Sequence, residues 1–285
     1  MAAVTDIYRK IKPMPGLEEI LLKMVRSFAR DYVRYTIFAG SLYFIFYVWK
    51  KRELFRFKIQ QKFPKNKDIW REIGYSTLSM FVFVNVGTLI FIFHEHTRIY
   101  KNFNDHSIAY FIFSVAAFIF LHDAYFYFTH RLIHWKKIYP YVHKVHHLSV
   151  NPTPWAAFAF HPLEAVVEVG ILPIMVFTVP LHPLAILAWV IFMLGYNVMG
   201  HLGFEVFPDG FASHRLWKWH NTSTHHNMHH KKVTCNYGLY FNIWDRLLGT
   251  NHEAYEKEFD TVRLRAKNAP VQQAETATEA ADAVL

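Results

Sequence analysis

His130 and His134 stand four residues apart in HRLIH, a spacing that puts two imidazoles on one face of a helix. His143, His146 and His147 follow in HKVHH, and His226, His229 and His230 repeat the same HxxHH spacing in HHNMHH. Neutral imidazole nitrogen is a strong ligand for first-row transition metals, and helix turns hold such donors at fixed positions. These eight histidines exceed what one tetrahedral zinc takes, four ligands in a structural site and usually three in a catalytic one. Two metal ions are therefore expected. Soluble di-iron bundles use Glu and Glu-x-x-His ligands, whereas here imidazole replaces almost all the carboxylates of the motif. The single cysteine, Cys235, excludes an intrachain disulfide and any cysteine-held zinc or iron–sulfur site.

Further residues are candidates for the same site. His201 is read as a ninth metal ligand, and Glu205, four residues later, as a ligand or an acceptor for an imidazole N–H. Asp123, Glu164 and Asp245 are candidate carboxylates that orient imidazole rings by accepting the distal N–H. His161 and His225 flank the boxes and complete the set of candidates, His225 competing with His226 for one role. The remaining histidines, among them His122, His220 and His252, are assigned to packing or surface.

Something must position these donors, and composition points to a membrane. In 285 residues the hydrophobic fraction is 53%, the aromatic fraction 18% and the charged fraction 19%, which excludes a disordered chain and fits poorly with a soluble domain. Gly74 to Phe93 holds no charge over a length that crosses the hydrocarbon layer. Tyr35 to Trp49 and Ser107 to Leu121 are shorter uncharged runs. From Val169 to Phe204 no Asp, Glu, Lys or Arg occurs, but Pro173, Pro180 and Pro183 interrupt the run, predicting a helical hairpin bent near Pro180 to Pro183. The expected fold is all-α: a multi-pass membrane protein of about four spans or half-spans, with a cytosolic helical cap gathering the boxes. Residues 1–34 are read as an amphipathic segment, lying either on an anionic membrane surface or on the protein itself, residues 35–265 as the membrane-embedded domain and residues 266–285 as a disordered tail.

Residues 50 to 72 carry nine Lys or Arg, which by the positive-inside tendency puts that loop in the cytoplasm, residues 94 to 106 outside and the boxes inside. An endoplasmic reticulum and a bacterial inner membrane fit equally. The net charge of +9 lies beside apolar spans, so it argues for lipid contact and not for nucleic acid.

The three boxes, in the order HxxxH, HxxHH and HxxHH, resemble the sterol desaturase and fatty acid hydroxylase superfamily. More closely, HDAYFYFTHRLIH at 122–134, HKVHHLSVNPTPWAAFAFHPLEA at 143–165 and NYGLYFNIWDRLLGT at 236–250 resemble its C-5 sterol desaturase branch. The resemblance covers roughly residues 70 to 255. It implies a non-haem di-iron membrane enzyme with a cytosol-facing metal site, O2 as co-substrate, and the eight box histidines as ligands. Some hydroxylases of the superfamily are expected to have histidine where Glu205 stands, so Glu205 marks a departure.

Iron is the expected metal, and zinc, which outcompetes ferrous iron for imidazole, is the expected substitute in purified samples. The expected reaction is hydroxylation or desaturation of an unactivated C–H position in a lipid of sterol or fatty-acyl type, with Phe126, Trp155, Phe158 and Phe160 as a candidate lining. The chain has no dinucleotide fingerprint and no haem-attachment motif, so electrons must come from a separate donor such as cytochrome b5 or ferredoxin with its reductase. Two rivals use the same residues: a multi-pass histidine-rich metal transporter and a zinc-stabilised membrane scaffold.

Overall fold

A computed structural model describes residues 15–268, and among these the chain is helical with only isolated β-bridges. The first helix, α1 (Leu17–Tyr35), passes without a break through Thr36–Gly40 and Ser41–Tyr43 to Phe44–Trp49. The division expected at residues 34 and 35 therefore has no counterpart in the backbone.

Helix α2 (Asn66–Ile92) runs antiparallel to α1. Lys23 Nζ lies 4.1 Å from the Phe91 ring centre, the Phe28 and Phe81 rings are 4.5 Å apart, and Tyr35 donates to Ser76 Oγ at 3.0 Å. Thus α1 lies lengthwise on a membrane-length helix and packs on the protein. On its polar side Asp31 pairs with Arg30 at 3.0 Å and with Arg34, while Lys23, Arg26 and Arg30 stay exposed.

Helices α2, α3 (Ile108–Ile133) and α6 (Pro183–Gly200) are long and apolar enough to cross a membrane. The expected runs at 74–93 and 107–121 fall almost wholly within α2 and α3, and the helices reach further at the box end because charged residues there extend past the hydrocarbon. Ile112 and Phe113 on α3 are 62% and 65% exposed, an outward apolar surface that suits lipid.

Between α3 and α6 come α4 (Pro162–Val169) and α5 (Ile171–Thr178), so the proline-broken hairpin forms as expected, with its bend at residues 179–182. At eight residues, α5 rises only about 12 Å and makes a half-span. The bend pairs with the 94–106 loop, where Arg98 N–H donates to Val176 O at 2.8 Å and Tyr100 N–H to Leu181 O at 3.1 Å. The histidine boxes gather at the opposite end.

There the cap is formed by α7 (Ser223–Lys232) and α8 (Tyr255–Asn268). Helix α8 buries Ala266 and runs to Asn268, so residues 266–268 of the expected tail are helical, and the rest of it lies outside the described residues. The basic loop joins the same end through Lys58. Its fully buried ammonium donates to Asn151 Oδ1 and Gly203 O, each at 3.1 Å, and faces the Phe204 ring at 4.9 Å. Gly203 adopts φ +73°, and a Cβ there would stand 2.8 Å from both Lys58 Nζ and Tyr47 Oη, so glycine is required twice over.

Burial pushes the Lys58 ammonium down from 10.5 to about 7. Between those values the unfolded chain binds the proton and the folded chain does not, so stability rises with pH across that window, by at most about 1.4 kcal/mol per pH unit. Thermal unfolding in detergent is expected to show a midpoint that climbs from pH 7 to pH 9 in the wild type, with a flatter profile in Lys58→Met. Parallel profiles for the two proteins would contradict this.

Candidate metal centre

The nine histidines expected as ligands are brought into two buried or nearly buried clusters. His130, His134, His143, His147 and His229 form one, and His146, His201, His226 and His230 form the other, with donor nitrogens within 4.8 Å of one another in each. Helix geometry and tertiary packing divide the labour. In each HxxHH box the i and i+4 residues share a face, so His143 and His147 join one cluster while His226 and His230 join the other. The remaining histidine of each box points to the neighbouring cluster: His146 leaves its box for the second, and His229 for the first. His201, directly after α6, completes the second cluster.

Hydrogen bonds assign the tautomers. The Nδ1 of His130 lies 2.8 Å from Tyr237 O, that of His229 2.7 Å from Cys235 O, that of His201 2.8 Å from Asn197 O and that of His143 2.6 Å from Glu164 Oε1. Each partner is an acceptor, so each Nδ1 carries the proton and each Nε2 presents a lone pair. These Nε2 atoms face one another. In the first cluster His143 is 3.0 Å from His130 and 3.1 Å from His147. In the second, His201 is 3.0 Å from His226, 3.2 Å from His230 and 3.3 Å from His146.

Where both tautomers are fixed, as for His130 and His143, two lone pairs face each other with no proton to share, and a cation satisfies them. Neighbouring donors on bonds of about 2.1 Å stand roughly 3.0 to 3.4 Å apart around octahedral or tetrahedral ions, so the residues present fit a metal in each cluster. Burial pushes His147 down to about 3 and His201 to about 4. It holds His134, His143, His146, His226, His229 and His230 well below the ordinary range, with neighbouring imidazoles adding to the effect. All are neutral at pH 7, the form that binds metal.

The carboxylates separate by role. Glu164, on α4, accepts from His143 and sits next to the first cluster. Asp123, His161, Glu205 and His225, expected as candidate metal ligands or as residues orienting them, lie outside both clusters. Asp123 accepts the backbone N–H groups of Tyr240 and Phe241 at 2.9 and 3.1 Å and pins the loop after the third box. Glu205 accepts from Phe207 N in its own loop at 3.0 Å and from Thr224 N, an otherwise unpaired amide at the start of α7, at 2.9 Å. His161 caps α4 by accepting from Leu163 N at 3.3 Å. His225 stands 3.8 Å from Asp245, whose oxygens hold the N–H groups of Tyr237 and Gly238, each at 2.8 Å. Missing from the sequence reading were the carbonyls of Tyr237 and Cys235, because a backbone acceptor has no residue signature.

A cavity of about 540 Å³ lies beside the clusters, walled in part by Phe126, Phe158 and Phe160. Phe126 is 4.8 Å from the His130 ring and Phe160 5.1 Å from the His146 ring. Trp155, expected among the lining, instead packs against Tyr35 and Gly40.

A family model for fatty acid hydroxylases matches residues 115–250. The chain is 30% identical over 260 residues to a Delta(7)-sterol 5(6)-desaturase of Gibberella zeae, covering 90% of this chain and 73% of that protein. It is 31% identical over 258 residues to one from Aspergillus fumigatus, covering 80% and 78%. With the lathosterol oxidase of Rattus norvegicus the identity is 30% over 194 residues, covering 66% and 62%. No solved structure matches. The chain belongs to the fatty acid hydroxylase family, in its sterol desaturase branch.

Proposed function

We propose, from this membership and the site, that the chain is a membrane-embedded oxidoreductase that uses two iron ions, O2 and electrons from a separate protein to oxidise a sterol-type lipid. The convergence of buried or nearly buried imidazole nitrogens in two adjacent clusters carries the reading. His130, His134, His143, His147 and His229 would hold one ion, and His146, His201, His226 and His230 the other. Bound iron supplies O2 activation and removal of hydrogen from an unactivated C–H bond.

The chain's own residues do the rest. Glu164 and the carbonyls of Tyr237, Cys235 and Asn197 hold the Nδ1 protons and so aim each Nε2 inward. Phe126 and Phe160 stand between the cavity and the clusters and exclude water from the wall a lipid would contact. Likeness to Delta(7)-sterol 5(6)-desaturases favours formation of a double bond over net hydroxylation. Lys58 ties the basic loop to the box end, and the positive-inside tendency then turns the clusters to the cytoplasm, where a donor such as cytochrome b5 or ferredoxin reaches them.

The test is comparative lipid mass spectrometry of cells expressing wild type or His146→Ala at equal protein levels, under 18-O2. A lipid that loses two hydrogens, or gains 18-O, only with the wild type is the expected result. Identical lipid profiles, despite folded iron-loaded protein and a competent donor, would return the chain to the transporter or scaffold reading.

A further inference from the structure

The cavity wall is apolar over most of its extent, with Met80, Val84, Phe126, Phe158, Phe160 and Leu194 among its residues. Its polar groups are nearly all engaged elsewhere. His122 Nδ1 meets Tyr240 Oη at 2.7 Å and the Trp189 indole N–H at 3.1 Å. Asn197 donates to Ala157 O at 2.7 Å, Arg30 and Arg34 both pair with Asp31, and Lys23 covers Phe91. Glu168 differs. It is the one carboxyl of the lining with no hydrogen bond or ion pair among the described residues, and it is half-buried with cavity space beside it.

Its position is set by the metal centre. Glu168 lies four residues after Glu164 on α4, one turn and about 6 Å further along the same face, and Glu164 is bonded to His143. A lipid hydroxyl at Glu168 would therefore be held at a fixed offset from the first cluster. A carboxyl facing an apolar cavity without a partner is costly, and a ligand hydroxyl offsets that cost by a hydrogen bond. The volume, about 540 Å³, lies within the range of sites that enclose one small molecule.

Building on the proposed oxidase reading, we propose that Glu168 hydrogen-bonds the hydroxyl of a neutral, sterol-type lipid in this cavity and so sets which carbon faces the histidine clusters. An acyl chain without a hydroxyl gains nothing at this position.

The test is a cycle of two ligands and four proteins. Full-length wild type, E168L, E168A and E168Q, matched for folding and iron content, are measured for equilibrium binding and for KM and kcat with a Δ7-sterol and its 3-deoxy counterpart. The wild type is expected to prefer the hydroxylated sterol by about 10-fold, the upper range of a single hydrogen bond. E168L is expected to bring the two ligands within about threefold, chiefly by raising Kd and KM for the hydroxylated one, and to broaden the positions oxidised. E168A reads the same loss if E168L fails to fold. E168Q, which keeps an acceptor oxygen, is expected to retain most of the preference. An undiminished preference in the folded Leu or Ala variant, or none in the wild type, overturns the assignment. Wild type that binds the hydroxylated sterol through Glu168 yet oxidises neither ligand supports the assignment and counts against the oxidase reading, so the two failures are distinguishable.

Discussion

Replacing either His146 or His229 by Ala is expected to abolish the lipid oxidation proposed above and, by the same proposal, to lower bound iron from two ions per chain toward one. The two residues belong to different clusters, although each shares a box with ligands of the other. Loss of either therefore disables one ion while the neighbouring cluster keeps its own donors. A fall in rate greater than about 100-fold is expected, because removing a group that merely orients a ligand already costs 10- to 100-fold. His252→Ala is the control. That side chain lies outside both clusters, with Nδ1 accepting from Ala254 N at 3.0 Å and Nε2 2.6 Å from Lys232 Nζ, so near-wild-type activity is expected. Iron per folded chain, measured beside product, decides the matter. Equal loss in all three variants would point to misfolding instead.

Glu164→Ala is expected to weaken iron binding by about 10- to 100-fold and to lower product formation in proportion at limiting iron. Glu164 Oε1 lies 2.6 Å from His143 Nδ1, and both side chains are 1% exposed. Without the carboxylate the imidazole loses the partner that holds its proton on Nδ1, and its Nε2 no longer has a fixed aim. Raising the iron concentration is expected to recover much of the activity, which a collapsed fold would not permit. Glu205→Ala gives the contrast. Its carboxylate joins Phe207 N to Thr224 N at the start of α7 and touches no histidine of either cluster, so a lower thermal midpoint with little change in iron affinity per folded chain is expected. An iron titration together with a melting curve on both variants separates the two roles, and similar iron affinities in the two would sink this division.

How far the sequence reached is seen in particular residues. The HxxxH and HxxHH spacings predicted donors on shared helix faces because i and i+4 neighbours are fixed by local backbone geometry, whatever the rest of the chain does. The spans in α2 and α3 and the hairpin bend were equally legible, since bilayer thickness sets the length of an uncharged run and proline interrupts a helix. Charge patterning on α1 was less informative. An amphipathic stripe reports that a helix has two faces, not whether its polar face meets water, headgroups or the protein's own cavity.

What tertiary structure alone decided was the partition of the histidines and the work of the carboxylates. His146 and His147 are adjacent in the chain yet serve different clusters, and His229 leaves its box to join residues nearly 100 positions earlier. Asp123 accepts from the amides of Tyr240 and Phe241 and Glu205 from those of Phe207 and Thr224, whereas Glu164 meets His143. Spacing along one helix is a property of a few consecutive residues. Which faces of separate helices meet depends on how the whole bundle packs, and a carboxylate's partner depends on which unpaired N–H that packing brings within about 3 Å of it.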